Sequence, residues 1–132
     1  MKKRTRSDKN NYHVKVSATI SGPLRSDFKI ILAVDTASFS TIIPPKVLRK
    51  IRMPLTEVER NLTSTAGDTT VKIAIVPSLT VLKITTHHHP VAVHEITEGF
   101  EVDGLPGNDF FRYYKLCINY PNGIIKIEQH ED

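Results

Sequence analysis

Apolar residues in this chain occur in short runs rich in Ile, Val and Leu. Turn residues interrupt these runs about every ten positions, a spacing that is typical of a protein built mainly from β-strands. Residues 12–20 alternate between apolar and polar side chains, which predicts a strand with one buried face. Residues 28–34 are almost continuously apolar, which predicts a strand that is buried on both faces.

The remaining apolar runs predict further strands and two short helices. Strands are expected over residues 41–43, 71–76, 79–84 and 91–96, and a final hairpin over residues 116–119 and 123–128 around Asn122-Gly123. Pro77-Ser78 is expected to separate the second and third of these strands. One helix is expected from Pro45 to Ile51, because proline suits the first helical turn, and another over residues 109–114. These elements predict a single all-β domain.

The positive charge of the chain is concentrated at its N-terminus. The 132 residues include 18 Lys and Arg against 14 Asp and Glu, a net charge of +4, and residues 1–10 alone account for this excess. We therefore expect a basic flexible tail over residues 1–11 and one folded domain over residues 12–132. Because the rest of the chain is neutral overall, any binding of nucleic acid would depend on the tail and is disfavoured.

Several other classes of protein are disfavoured by composition. Cys117 is the only cysteine, so no internal disulfide can form. The N-terminal charges are not followed by an apolar secretory segment, and no apolar run is long enough to cross a membrane. We expect a cytoplasmic protein without a membrane partner. His87, His88, His89 and His94 suggest a metal site only weakly, so neither a metal nor another cofactor is expected.

One apolar run ends abruptly at a carboxylate. Asp35 follows residues 30–34 directly and is itself followed by Thr36, Ala37 and Ser38. A buried carboxylate is costly unless it is hydrogen-bonded or shares a proton. Asp-Thr-x-Ser is also favourable turn chemistry, so the local sequence leaves a capping role and a catalytic role both open.

A later segment strengthens the catalytic interpretation. Residues 104–111 read Gly-Leu-Pro-Gly-Asn-Asp-Phe-Phe, and residues 35–44 read Asp-Thr-Ala-Ser-Phe-Ser-Thr-Ile-Ile-Pro. Together they resemble the two characteristic elements of the retroviral-type aspartic proteases, the retropepsin-like family. The resemblance spans about residues 12–128, including the order of strand pair, flap, loop, helix and hairpin. It implies an acid-protease fold: a closed β-barrel monomer of one lobe with one or two short helices.

The resemblance also implies a mechanism. Enzymes of this class hydrolyse peptide bonds with a water held between two carboxylates that share one proton. The chain has one such motif and is too short for two lobes, so the resemblance implies a homodimer in which Asp35 of each subunit meets at the twofold axis. The implied function is that of an aspartic endopeptidase acting on extended polypeptides.

The same resemblance implies roles for the residues around Asp35. Thr36 would reach across the dimer axis to the partner backbone, and Ser38 would donate a hydrogen bond to the outer oxygen of Asp35. Ala37 stands where the family has glycine beside the catalytic carboxylate. Thr36, Ala37 and Ser38 are therefore expected to form the active-site loop.

The resemblance also implies roles for two segments farther along the chain, the flap and a structural loop. Ala66, Gly67 and Asp68 would form the tip of the flap, whose backbone pairs with a bound peptide. Leu105 and Gly107 would belong to a structural loop. The short helix that follows is expected to be capped by Asp109, which is therefore not expected to be catalytic.

Three residues depart from the family pattern and support alternative functions. Ala37 replaces glycine, Phe39 replaces a small residue, and Pro106 removes a backbone donor from the structural loop. One alternative is a catalytically weak or inactive domain of the same fold that serves in dimerisation or peptide binding. Another is an unrelated β-barrel that binds RNA through its basic tail.

Overall fold

The chain, seen here in a computed structural model, is built mainly of β-strands. The structure describes residues 2–4, 14–34, 40–64, 67–96 and 101–129. The strands are β1 (Lys2–Arg4), β2 (Val14–Ser21), β3 (Phe28–Val34), β4 (Ile42–Ile43), β5 (Glu59–Ser64), β6 (Gly67–Val81), β7 (Ile84–Val93), β8 (Tyr114–Asn119) and β9 (Ile124–Gln129). The helices are α1 (Pro45–Lys50) and α2 (Asn108–Phe111). The all-β class predicted from the sequence is confirmed.

The described strands form two sheets. One has six strands in the order β3-β2-β6-β7-β4, with β5 paired to β6, and the other has the order β1-β9-β8. The edge strands β3 and β4 do not pair with each other and are linked only by single bridges to residues 104–105. The prediction of a closed barrel is therefore wrong, because these two residues take the place that a full closing strand would need.

The N-terminal residues differ from the predicted tail. Lys2–Arg4 form β1, which pairs with β9 in an antiparallel register from Lys2 opposite Lys126 to Arg4 opposite Ile124. This part of the expected flexible tail is therefore a strand. Residues 5–13 lie outside the described residues.

The alternating pattern of β2 is confirmed by burial. Its apolar side chains are all buried, namely Val14, Val16, Ala18 and Ile20. The bounds of β3 match the prediction, but its burial does not, since Ile31 is 40% exposed while Leu32, Ala33 and Val34 are buried. The face of β3 that carries Ile30, Leu32 and Val34 is buried, whereas the opposite face is exposed at Lys29 and Ile31 and becomes buried only at Ala33.

β6 is one long strand that continues through Pro77, where the sequence predicts a break. It pairs with β7 on both sides of the proline, with Val76 opposite His89 and Ser78 opposite His87. β5 pairs with β6 only as far as Lys72, and β2 pairs with it only from Ser78 onward. Pro77 therefore lies where β6 has no second neighbour, so its missing N–H costs little.

Both helices contribute large side chains to one core. α1 begins at Pro45 and α2 follows Gly107. The fully buried core side chains that they and the strands supply include Ile20, Leu32, Ile43, Val47, Leu48, Leu79, Phe110 and Ile125. None of the helices in the described part of the chain is long and apolar enough to cross a membrane.

We predict that Leu79→Ala lowers the free energy of unfolding by about 2–5 kcal/mol, because it leaves a cavity in the core. Leu79 is fully buried, whereas Ile75 on the same strand is 44% exposed. Ile75→Ala is the matched control and should cost less than about 1 kcal/mol. Urea denaturation of both variants measures the difference, and equal losses would contradict this placement of the core.

Candidate active site

The predicted active-site loop is framed by two strands of the six-stranded sheet. β3 ends at Val34, immediately before Asp35, and the chain resumes in the described residues at Ser40. Ser40 and Thr41 are both buried. The predicted site residues Asp35, Thr36, Ala37 and Ser38 lie outside the described residues. The structure describes the two flanks of this loop, which end at Val34 and begin again at Ser40.

Residues 103 and 104 hold the strand that leads into the loop. The Ala33 N–H donates to the Gly104 carbonyl at 3.1 Å, and the Asp103 N–H donates to the Ile31 carbonyl at 2.7 Å. The Asp103 side chain adds a third bond, since its Oδ2 accepts the Ile31 N–H at 2.8 Å. The free edge of β3 is therefore hydrogen-bonded directly before Asp35.

The next residue of the same segment holds the strand that leaves the loop. The Ile42 N–H donates to the Leu105 carbonyl at 2.8 Å, and the Leu105 N–H donates back to the Ile42 carbonyl at 2.9 Å. Leu105, predicted as a structural-loop residue, therefore lies beside β4. Residues 103–105, which we term the crossing segment, fix both flanks of residues 35–39 relative to each other.

Gly107 lies against the backbone of Ser40. A Cβ atom at position 107 would lie 2.5 Å from the Ser40 carbonyl carbon and 2.6 Å from its oxygen. A Cβ atom does not approach non-bonded backbone atoms this closely, so only glycine permits this approach. The Gly107 N–H also donates to Thr41 Oγ1 at 3.3 Å. The second predicted structural-loop residue is thus packed against the end of the active-site loop.

Thr41 is bound twice by the carboxylate of Asp109. Its hydroxyl donates to Asp109 Oδ1 at 2.7 Å, and its backbone N–H donates to Asp109 Oδ2 at 3.1 Å. Both oxygens of the carboxylate are therefore used, and Thr41 is held through its backbone as well as its side chain. Asp109 joins the start of α2 to the residue that precedes β4.

His89 completes this buried network from β7. Its Nε2 lies 3.1 Å from Thr41 Oγ1 and 3.3 Å from Asp109 Oδ2. Because the Thr41 hydroxyl donates to Asp109, it accepts from its other neighbours, so Nε2 of His89 acts as the donor. The edge of the imidazole also contacts Phe110, with ring centroids 5.8 Å apart. We term Thr41, His89 and Asp109 the loop anchor.

The electrostatics of the loop anchor favour an ionised carboxylate. Burial alone would raise the pKa of Asp109, but the hydrogen bonds from His89 and Thr41 outweigh it and hold that pKa below its usual value. The ionised form of Asp109 is thus the one that the surrounding donors stabilise.

The sequence prediction for Asp109 is wrong, and His89 was missed. α2 is preceded by Gly107 and has no side-chain cap, so Asp109 does not cap it. Thr41 supplies two donors to this carboxylate and His89 a third, and such hydrogen bonds to an ionised group are the strong ones. The sequence held no signal for His89, since His87 has the same strand parity and yet is exposed, whereas His89 is buried.

The hairpin of β5 and β6 corresponds to the predicted flap. Its last described pair is Ser64 with Gly67. Gly67 and Asp68, two of the three residues predicted for the flap tip, are exposed at the start of β6, and Ala66 lies outside the described residues. β5 is missing from the sequence prediction because its residues are polar except for Leu62 and show no alternation that marks a strand.

No group of side chains suited to a metal ion occurs among the described residues. Of the four histidines considered in the sequence, His87, His88 and His94 are exposed, and His89 belongs to the loop anchor.

Comparison with known proteins places this arrangement in a family. Residues 16–110 match the family described as aspartyl protease, and this match covers more than half of the 132 residues. A retropepsin-like aspartic protease from Rickettsia conorii has a similar structure, with a TM-score of 0.68 and 15% sequence identity over 98% of this chain and 91% of that one. No curated protein sequence matches. The chain belongs to the aspartyl protease family, and its fold is retropepsin-like.

We predict that Asp109→Asn destabilises the protein by about 1–3 kcal/mol at neutral pH, because the amide NH₂ would face the donors of Thr41 or His89. The depressed pKa of Asp109 stabilises the fold above the unfolded value of about 4, and this stabilisation is lost as pH falls through the folded pKa. The variant should therefore lose less stability on acidification than the native protein.

Chemical denaturation at a series of pH values measures both effects. Glu101→Gln is the matched control because it removes an exposed carboxylate. If Asp109→Asn and Glu101→Gln gave the same pH dependence as the native chain, the assigned role of Asp109 would be refuted.

Proposed function

We propose that this protein is an aspartic endopeptidase that acts as a homodimer, with Asp35 of each subunit at the twofold axis. The observation that carries the proposal is the crossing segment, which holds both flanks of residues 35–39 by hydrogen bonds at Ala33 and Ile42. Catalysis by a carboxylate pair requires fixed geometry, since small displacements of a catalytic group are costly. Membership of the aspartyl protease family supports the same assignment.

The proposed chemistry uses two carboxylates in different protonation states. Two like charges about 3 Å apart cannot both ionise, so the pair shares one proton. The ionised Asp35 removes a proton from water, and the protonated Asp35 of the partner subunit polarises the peptide carbonyl. The water oxygen attacks the carbonyl carbon, and proton transfer to the leaving nitrogen then breaks the peptide bond.

Neighbouring residues complete the proposed site. Thr36 would link the two loops across the axis, and Ser38 would donate to the outer oxygen of Asp35. The β5–β6 hairpin would close over an extended peptide, and residues near Gly67 would pair with its backbone as an added strand does. The loop anchor lies directly after this loop and would hold it in place.

We predict that Asp35→Asn lowers cleavage of an unfolded protein substrate about a hundredfold or more between roughly pH 3 and 7, because it removes the general base without changing the side-chain shape. Glu101→Gln is the control for loss of an exposed carboxylate and should cleave normally. If Asp35→Asn cleaved as fast as the native chain, Asp35 would not be the catalytic residue. If neither the native protein nor Asp35→Asn cleaved the substrate although both were folded dimers, this proposal would be replaced by a non-catalytic domain that serves in dimerisation or peptide binding.

Mixing subunits tests the shared site. When native protein is equilibrated with an excess of Asp35→Asn, most native subunits enter mixed dimers that hold one carboxylate. We predict that activity then falls well below that of the same native protein alone, at a fixed native concentration. Mixing with an excess of native-like Glu101→Gln should not lower it. Activity unchanged by the Asp35→Asn excess would exclude a site shared between subunits.

A further inference from the structure

A concave site at the end of α1 is lined almost entirely by basic residues. It has a volume of about 720 Å³ and is formed by Leu24, Arg25, Arg49, Lys50 and Arg52. Four of these five side chains are cations and none is acidic. The neutral charge balance beyond residue 10 therefore conceals a local concentration of positive charge.

The site is assembled from two distant parts of the chain by close packing. A Cβ atom at Gly22 would lie 2.0 Å from the Ile51 carbonyl oxygen, so only glycine allows the loop after β2 to meet the end of α1. The Gly22 N–H donates to the Arg25 carbonyl at 2.8 Å, and the Arg25 guanidinium lies 4.4 Å above the centre of the Phe28 ring. Arg25 is thereby held beside the basic end of the helix.

Arg52 occupies a backbone position that favours glycine. Its φ is 58°, its N–H donates to the Arg49 carbonyl at 3.1 Å, and the Met53 N–H donates to the Leu48 carbonyl at 2.9 Å. These bonds form the helix-ending motif in which glycine commonly takes the left-handed position. An arginine costs stability there, so the backbone does not account for its presence.

Among the described residues, these cations have no ionic partner. Within the described part of the chain, the salt bridges involve Lys72, His89 and Lys126. Arg49 and Lys50 complement the negative end of the α1 dipole, but Arg25 and Arg52 do not belong to its last turn. Four unpaired cations around one concavity repel one another and favour an anionic ligand.

We propose that this site, Leu24, Arg25, Arg49, Lys50 and Arg52, binds an acidic polypeptide segment that carries an apolar side chain. Arginine forks pair bidentately with carboxylates. Leu24 is 82% exposed at the same site, where it offers one apolar contact. The proposal is independent of the proposed endopeptidase activity.

Two other anionic partners fit the site less well. Single-stranded RNA is bound by cations spaced along a groove together with aromatic stacking surfaces, and no aromatic residue lines this site. A membrane surface favours several apolar side chains beside the cations, whereas Leu24 is the one apolar residue that lines it.

Fluorescence anisotropy tests the proposal with the Asp35→Asn protein, so that cleavage does not interfere. The probe is a labelled peptide of alternating glutamate and serine with a central leucine. We predict saturable binding that weakens as salt is raised, and that is lost when glutamine replaces every glutamate. Arg49→Gln combined with Arg52→Gly should weaken binding about tenfold or more, as two screened ionic contacts are removed.

Two control variants remove the same charge elsewhere. Lys29→Gln with Lys83→Gln removes two exposed lysines outside the site, and Arg6→Gln with Lys9→Gln removes two charges near the N-terminus. Both should bind the peptide normally. Arg52→Gly alone should keep or raise the midpoint of urea denaturation, because glycine suits a positive φ. This separates loss of binding from loss of folding.

Several results would overturn the proposal. Equal weakening in all three double variants would show that the peptide senses only net charge. Absence of binding by the Asp35→Asn protein would exclude the site outright. Tighter, Arg49- and Arg52-dependent binding of labelled oligouridine, or of vesicles of phosphatidylserine and phosphatidylcholine, would assign it to RNA or to a membrane surface instead.

Discussion

The hydrogen bonding of the half-buried Asp109 carboxylate is the interaction on which the arrangement of the site depends. The carboxylate accepts hydrogen bonds from the hydroxyl and backbone of Thr41 and lies within reach of His89. Asp109 and these two partners come from three separate parts of the chain, so the ion joins α2, β7 and the residue that precedes β4. An ionised group in such a position is stable only because its oxygens are fully used. The surrounding backbone must therefore bring these donors together.

Close contacts between separate backbone segments bring these donors together. Residues 103–105 bond to β3 on one side and to β4 on the other, and Gly107 lets the next turn approach Ser40. Asp35 lies in the short stretch between these two strands. Hydrogen bonds from one short segment therefore fix the two flanks of residues 35–39 relative to each other.

Local pattern was sufficient to predict much of the fold. The alternation of β2, the apolar run of β3 and the Asn122-Gly123 hairpin are each determined by neighbouring residues. The pattern failed where neighbours in space decide the outcome. The one apolar residue of β5, Leu62, packs on a buried cluster from β6 and β7, and Pro77 lies where β6 lacks a second neighbour. Whether a barrel closes depends on the pairing of strands that are distant in sequence, and no single segment determines that pairing.

The candidate site likewise combines residues that local sequence identifies with contacts that only the fold reveals. Asp35 and Gly107 belong to contiguous motifs, so the sequence alone could single them out. The loop anchor joins Thr41 to His89, 48 positions away, and to Asp109, 68 positions away. Helix capping was the better explanation of Asp109 from its neighbours alone, and His89 was one of three adjacent histidines. Only the three-dimensional fold separates the buried histidine from the exposed ones.

The central claim is that two copies of the segment held between β3 and β4 form one active site. A crystal structure of the dimer, in which the distance between the two Asp35 carboxylates is measured, tests this most directly. Our account requires those carboxylates to lie about 3 Å apart across a twofold axis, within reach of a shared proton. Carboxylates that point away from each other, or a dimer in which they are separated by other residues, would contradict it.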